Sequence, residues 1–435
     1  DFCASGFNRI GDYIQSRFSL RTRGNTQGSS GSACRVCKLR NKYLGIHRFK
    51  PIGSYPVAVF TLIRRVAIIL VILYAALFGL TKVIHYPEPI AAIRLGLAPA
   101  SKTPDLMPAH WIVAAPSTFA PWKSGTSEEI SEVTWNGKRQ SFETFLKETQ
   151  TNAFLVIRNG KLTYEKYFNG KTQSTVLPSY SVAKTMTSLV IGQLIDEGRI
   201  KESDTFVSIL PEFKAGTSFD NVTIKNLLDM NSGIGVSDNY PSGPSGWGVA
   251  IAQMYASTDV NWFLKNNRKM SEEPGTFPEY RSVNTQMLGL IIQKVTGRYL
   301  AAEFTDRIWQ KVGADYDATW NVDKEGGHEK AFCCFNATAR DYARVGQALM
   351  SGDPKIASTS WKARLSTSAV KLDYGWGYGA QMWHPYPGIN LMMGLHGQYI
   401  YMDALNDTVI VKLSDMPTSS DGISAKIAPV LREIA

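Results

Sequence analysis

Nineteen almost uninterrupted apolar residues, Val66–Ile84, stand directly behind a basic stretch, and no other feature of the chain limits its folding so tightly. As a helix the run spans roughly 28 Å, close to the ~30 Å hydrocarbon core of a bilayer, and Lys82 can snorkel to the headgroups. Residues 1–65 carry 12 Lys and Arg against Asp1 and Asp12, whereas the other 370 carry 35 basic and 35 acidic groups. The net charge of +10 therefore belongs to the arm, and the positive-inside rule places the bulk of the chain outside the cytoplasm, in a periplasmic or extracellular space. The competing readings are a buried core helix or the apolar part of a cleaved signal peptide, but no small-x-small site follows the run. The expected organisation is a basic, disordered arm over 1–65, a transmembrane helix over 66–84, a Pro- and Ala-rich linker over 85–125, and one folded domain over 126–435. A neutral folded part offers no phosphate-binding groove, so nucleic acid is excluded as a partner. Cys34 and Cys37 have metal-like spacing without a second Cys/His pair nearby. Cys333 and Cys334 are neighbours and are expected not to bridge, because adjacent cysteines seldom pair without strain. No metal and no cofactor is assigned.

Within the folded part, Ala153–Arg158 and Lys161–Phe168 flank Asn159-Gly160, which supplies the two positive φ angles of a tight hairpin turn. From Ser181 the text becomes helical: Met186, Leu189, Val190 and Leu194 fall on one face, and Gly198 stands where a C-terminal cap belongs. Further helices are expected around Ile224–Met230, Asn284–Val295 and Thr338–Met350. Strand-like text returns at Tyr399–Met402 and Thr408–Leu413. An early hairpin and late strands around a helical insert predict an α+β domain whose antiparallel sheet joins both ends of the chain.

A serine hydroxyl is a poor nucleophile until a base stands beside it. Ser181 and Lys184, three residues apart, share a helix face, and desolvation lowers a lysine's pKa enough to free its amine. Backbone N–H groups at the helix start suit a developing oxyanion. The same spacing recurs at Ser368 and Lys371, but that copy leads into Leu372-Asp373-Tyr374-Gly375 rather than an amphipathic helix and is set aside. No Gly-x-Ser-x-Gly elbow is present, and His328-Glu329 lacks the second histidine of a zinc helix. The glycines of Gly375–Gly379 read as a strand turn, not a phosphate cradle.

Four segments in order carry a resemblance: Ser179–Ser188, Val222–Gly233, Pro274–Gly289 and Asn336–Gly346. Together they resemble the serine β-lactamase and penicillin-binding-protein superfamily, in its class C-like branch of esterases, carboxypeptidases and 6-aminohexanoate-dimer hydrolases. The resemblance implies a β-lactamase-like fold and a catalytic set of Ser181, Lys184 and Tyr280, with Tyr280 helping to pass the serine proton to the leaving group. It also brings Ser282, His396 and Gly397 to the substrate. Ser282 stands where β-lactamases of this type usually carry Asn, and Gly394–Gln398 replaces their cationic Lys-Thr-Gly or His-Thr-Gly triplet. A backbone N–H from that segment is expected to join that of Ser181 as the oxyanion hole. The implied activity is hydrolysis of a small amide or ester through an acyl-enzyme. A D-alanyl carboxypeptidase or weak β-lactamase is the alternative within the class, and a non-catalytic membrane-anchored binding domain is the alternative outside it.

Overall fold

The structure, a computed structural model, describes residues 57–114, 122–238, 250–417 and 423–435; the arm up to residue 56, with Cys34 and Cys37, lies outside them. The chain divides into two units, Asp1–Ile63 and Arg64–Ala435. Helix α1, Val57–Val83, begins nine residues before the expected apolar run. From Val59 onward its large apolar side chains are on the surface, with Leu70 60% and Val71 68% exposed. That exposure removes the buried-core reading of the segment.

Alternation builds the core of the second unit. Along strand β1, Thr151–Arg158, Ala153, Leu155 and Ile157 enter one apolar cluster, while Phe154 and Val156 enter another on the opposite face, as a period of two requires. The other strands of its sheet are β2 Lys161–Tyr167, β3 Val370–Lys371, β4 Gly377–Gly379, β5 Met382–His384, β6 Ile389–Gly394, β7 Gln398–Asp403 and β8 Thr408–Ser414. These eight run antiparallel in the order β2-β1-β8-β7-β6-β5-β4-β3. Asn159 and Gly160 make the hairpin turn at φ 49° and 67°, and β8 lies against β1 with Ile410 opposite Val156. Early and late strands thus share one sheet, as expected.

Four more helices position the site: α2 Ala183–Asp196, α3 Ser282–Thr296, α4 Ala339–Ser351 and α5 Ile423–Ile434. Helix α4 packs on β8, β7 and β1. Ile427 and Leu431 of α5 join the cluster on the other face. Helix α2 ends as its sequence predicts: Gly198 sits at φ 70°, and the N–H groups of Gly198 and Arg199 bond to Ile195 and Leu194 carbonyls, a left-handed cap.

Two expectations need correction. The described part of the stretch 85–125 is not an open linker: it contains a helix, Pro89–Leu97, a 3₁₀ turn and a strand, Ala109–Ile112, paired with Ala318–Asn321. Pro89 starts that helix where a missing N–H costs nothing, the Glu88 carboxylate accepts from Ile90 and Ala91 N–H, and Ser101 is tied to Asp415. Cys333 and Cys334 do form a disulfide. Neighbouring side chains normally point apart in extended chain, but Cys334 is left-handed at φ 69°, which breaks that alternation.

Candidate active site

Ser181 lies in a 3₁₀ turn, Tyr180–Val182, and α2 begins only at Ala183. The expected helix start at the serine is therefore two residues early. Lys184, the second residue of α2, still lies one turn on from the serine. Lys184 Nζ stands 3.0 Å from Ser181 Oγ. Tyr180, directly before the nucleophile, holds φ 45°, a conformation that non-glycine residues adopt at a cost and that clusters at functional sites. Gly394, the last residue of β6, presses on this turn: a Cβ there would stand 2.4 Å from Ser179 O and 3.0 Å from Ser181 N. Only glycine brings the β6 backbone so near the serine amide.

Lys184 is 1% exposed. Its Nζ also lies 2.8 Å from Ser282 Oγ and 3.0 Å from the Phe332 carbonyl, between the rings of Tyr280 and Phe332. Burial pulls its pKa down to about 7, against the opposing pull of Asp238. Ser282 N–H donates to Asp238 Oδ1 at 2.7 Å and its hydroxyl to Oδ2. Burial raises the Asp238 carboxyl, with Lys184 and Ser282 drawing it partly back. Burial followed by the Asp238 charge raises the Tyr280 phenol well above the ordinary value, with the Ser181 hydroxyl drawing it partly back. Its ring stacks on Trp383 at 5.4 Å and meets Tyr378 edge-on at 5.9 Å. At neutral pH the phenol keeps its proton, and Lys184 is the group able to give up its own.

The structure thus gathers Ser181, Lys184, Tyr280 and Ser282. His396 stands one layer back: its ring packs 4.8 Å from Tyr180, its Nδ1 lies 2.9 Å from the Met416 carbonyl, and burial lowers its pKa. Gly397 faces Ser414 and Met416, while Gly394 is the residue against Ser181. Ser368 Oγ donates to Val370 O, and Lys371 is exposed, so the second Ser-x-x-Lys copy builds no comparable pair. Asp238, Phe332 and Gly394 were not anticipated. Asp238 and the Phe332 carbonyl follow no spacing rule, but Gly394 lay within the segment already singled out. Among the described residues no cluster of metal-ligating side chains occurs.

The lowered lysine gives a pH dependence with a definite sign. If neutral Lys184 is the base, kcat/KM rises with pH through about 7 and levels above it. A profile measured in overlapping buffers checks this; activity rising toward acid would assign the essential proton elsewhere.

Comparison with known proteins bears on the family and the fold. A family model described as Beta-lactamase matches residues 139–428. The chain is 31% identical over 300 residues to the 6-aminohexanoate-dimer hydrolase of Paenarthrobacter ureafaciens, an alignment covering 63% of this chain and 75% of that one. A solved structure from Bacillus anthracis, provisionally described as a 6-aminohexanoate-dimer hydrolase, superposes with a TM-score of 0.68 at 27% identity, over 80% of this chain and 94% of that one. The octameric penicillin-binding protein homologue from Pyrococcus abyssi shares the fold, with a TM-score of 0.55 at 21% identity over 67% of this chain and 76% of that one.

Proposed function

The chain belongs to the beta-lactamase family, and from that premise we propose that it hydrolyses a linear amide or ester through an acyl-enzyme on Ser181. The observation that carries this reading is the buried amine beside the hydroxyl, with Lys184 Nζ 3.0 Å from Ser181 Oγ. In its neutral form Lys184 has two N–H groups and one lone pair. The N–H groups go to Ser282 Oγ and the Phe332 carbonyl, which leaves the lone pair to accept the Ser181 proton. Serine then attacks the substrate carbonyl, and the oxyanion develops beside the Ser181 amide and the Gly394 backbone. Tyr280, whose phenol keeps its proton at neutral pH, hands a proton to the leaving nitrogen or oxygen and recovers one through Lys184. Water enters by the reverse route and frees the acyl group.

Substrate preference follows from the missing cationic triplet. The compound named for two relatives, a dimer of 6-aminohexanoate, is joined by a linear amide. A penicillin-like carboxylate gains most from a fixed positive charge, and the lowered pKa of His396 keeps it neutral. We expect p-nitrophenyl ester or linear amide cleavage with nitrocefin kcat/KM at least roughly tenfold poorer, about 1.4 kcal/mol in transition-state binding. Measuring both on one preparation decides it; efficient nitrocefin turnover would favour the carboxypeptidase or β-lactamase reading.

Helix α1 supports an N-terminal anchor with the catalytic part outside the cytoplasm, and the disulfide suits an oxidising compartment. Full-length protein should sediment with membranes, resist high salt and yield to detergent. Release by salt alone would assign the attachment to the basic arm.

A further inference from the structure

The carbonyl that holds Lys184 belongs to the residue directly before the disulfide. Phe332 O lies 3.0 Å from Lys184 Nζ, and Cys333–Cys334 follows at once. Upstream, side chains of the catalytic helices pin the chain. Thr187 of α2 donates to Ala331 O at 2.9 Å. Gln286 of α3 donates to Glu329 O and accepts from Ala331 N–H, and Gly289 of the same helix leaves no room for a Cβ beside Ala331. Downstream, Trp320 Nε1 donates to Cys333 O at 2.9 Å, and Asn321 N–H donates to Cys334 O at 2.8 Å. Between these pins the chain reverses through Cys334 at φ 69°. An L-residue adopts that conformation only at a cost, and the bond between the two sulfurs is what ties this pair into it. Both cysteines are buried, 3% and 6% exposed, in the wall behind the amine.

We propose that the Cys333–Cys334 bridge is a positioning element for Lys184: closed, it sets the Phe332 carbonyl that orients the amine; opened by a dithiol, it releases that carbonyl and slows turnover. The inference rests on the serine-hydrolase reading above. In the opening step a thiolate of the dithiol attacks one cysteine sulfur, and the S–S bond breaks. The second thiol then displaces the mixed disulfide, so the reductant leaves as its cyclic disulfide and both cysteines as thiols. Without its carbonyl partner the amine loses one of the two N–H bonds that aim its lone pair at Ser181. Misplacement by about 1 Å costs up to roughly a hundredfold in rate.

The test compares kcat and KM of the oxidised protein, the dithiol-treated protein and two double variants. Thiol alkylation and mass spectrometry establish whether the bridge is open. Opening is expected to lower kcat by roughly tenfold or more with KM within about twofold, and reoxidation to restore it. Cys333→Ala/Cys334→Ala should show the same loss and ignore the dithiol. Cys333→Ala/Cys334→Gly should recover most of kcat, because glycine takes positive φ freely. If the bridge resists the dithiol in the folded protein, the two variants decide alone. Unchanged kcat with the bridge proven open, or an Ala–Ala variant as fast as the Ala–Gly one, overturns the proposal. An oxidised protein that neither turns over nor labels at Ser181 overturns the serine-hydrolase reading instead.

Discussion

Ser181→Ala is expected to lower kcat/KM by about ten-thousand-fold while leaving unfolding stability within about 1 kcal/mol. The kinetic loss is large because the other hydroxyl beside the amine, that of Ser282, is committed to Asp238, and Tyr280 is held protonated by burial. The stability change is small because Ser181 is only half-buried and contributes one hydrogen bond to Lys184. Ser368→Ala serves as the control and should leave the rate unchanged, since that hydroxyl is spent on Val370 O. Loss of activity in the control with retention in Ser181→Ala would mean that the wrong serine has been assigned.

Lys184→Met is expected to lower kcat/KM by on the order of a thousandfold and to act on stability in a way that Ser181→Ala does not. Methionine matches the volume and suits the surrounding Tyr280 and Phe332 rings, but leaves the Phe332 carbonyl without its donor. The folded pKa of Lys184, about 7, lies below its ordinary value of 10.5. Between those pH values the unfolded chain binds a proton that the folded chain does not, so wild-type stability rises with pH across the window. Lys330 and Lys412 are depressed in the same sense and stay in the variant. The variant's pH–stability curve should therefore climb less steeply than wild type, by up to about 1.4 kcal/mol per pH unit. Urea melts across the window check this; parallel curves would mean that Lys184 is charged in the folded protein.

How far the sequence reached depended on whether a feature is local. Asn159-Gly160 dictates its own turn, and the apolar run Ala153–Ile157 before it reads as one arm of the hairpin; both were legible and both are found. The Ser181–Lys184 pair was legible for the same reason, because three residues along one turn fix the distance. Asp238 reaches Ser282 from a loop 44 positions upstream, and Phe332 offers a backbone carbonyl that any residue type carries. Nothing in residue identity marks either. The disulfide was misjudged because the left-handed backbone at Cys334, which breaks the alternation of neighbouring side chains, is marked by no local pattern in the sequence. The stretch 85–125 was misread because Pro and Ala fit a linker and a capped helix start equally well.

The central claim is that Ser181 carries the acyl group. A fluorophosphonate probe, followed by intact mass and peptide mapping of wild type and Ser181→Ala, tests it most directly. The account predicts a single adduct on Ser181 in wild type, slower to form below pH about 7 as Lys184 becomes protonated, and none in the variant. A wild-type protein that takes no label, or takes it on another residue, would contradict the account.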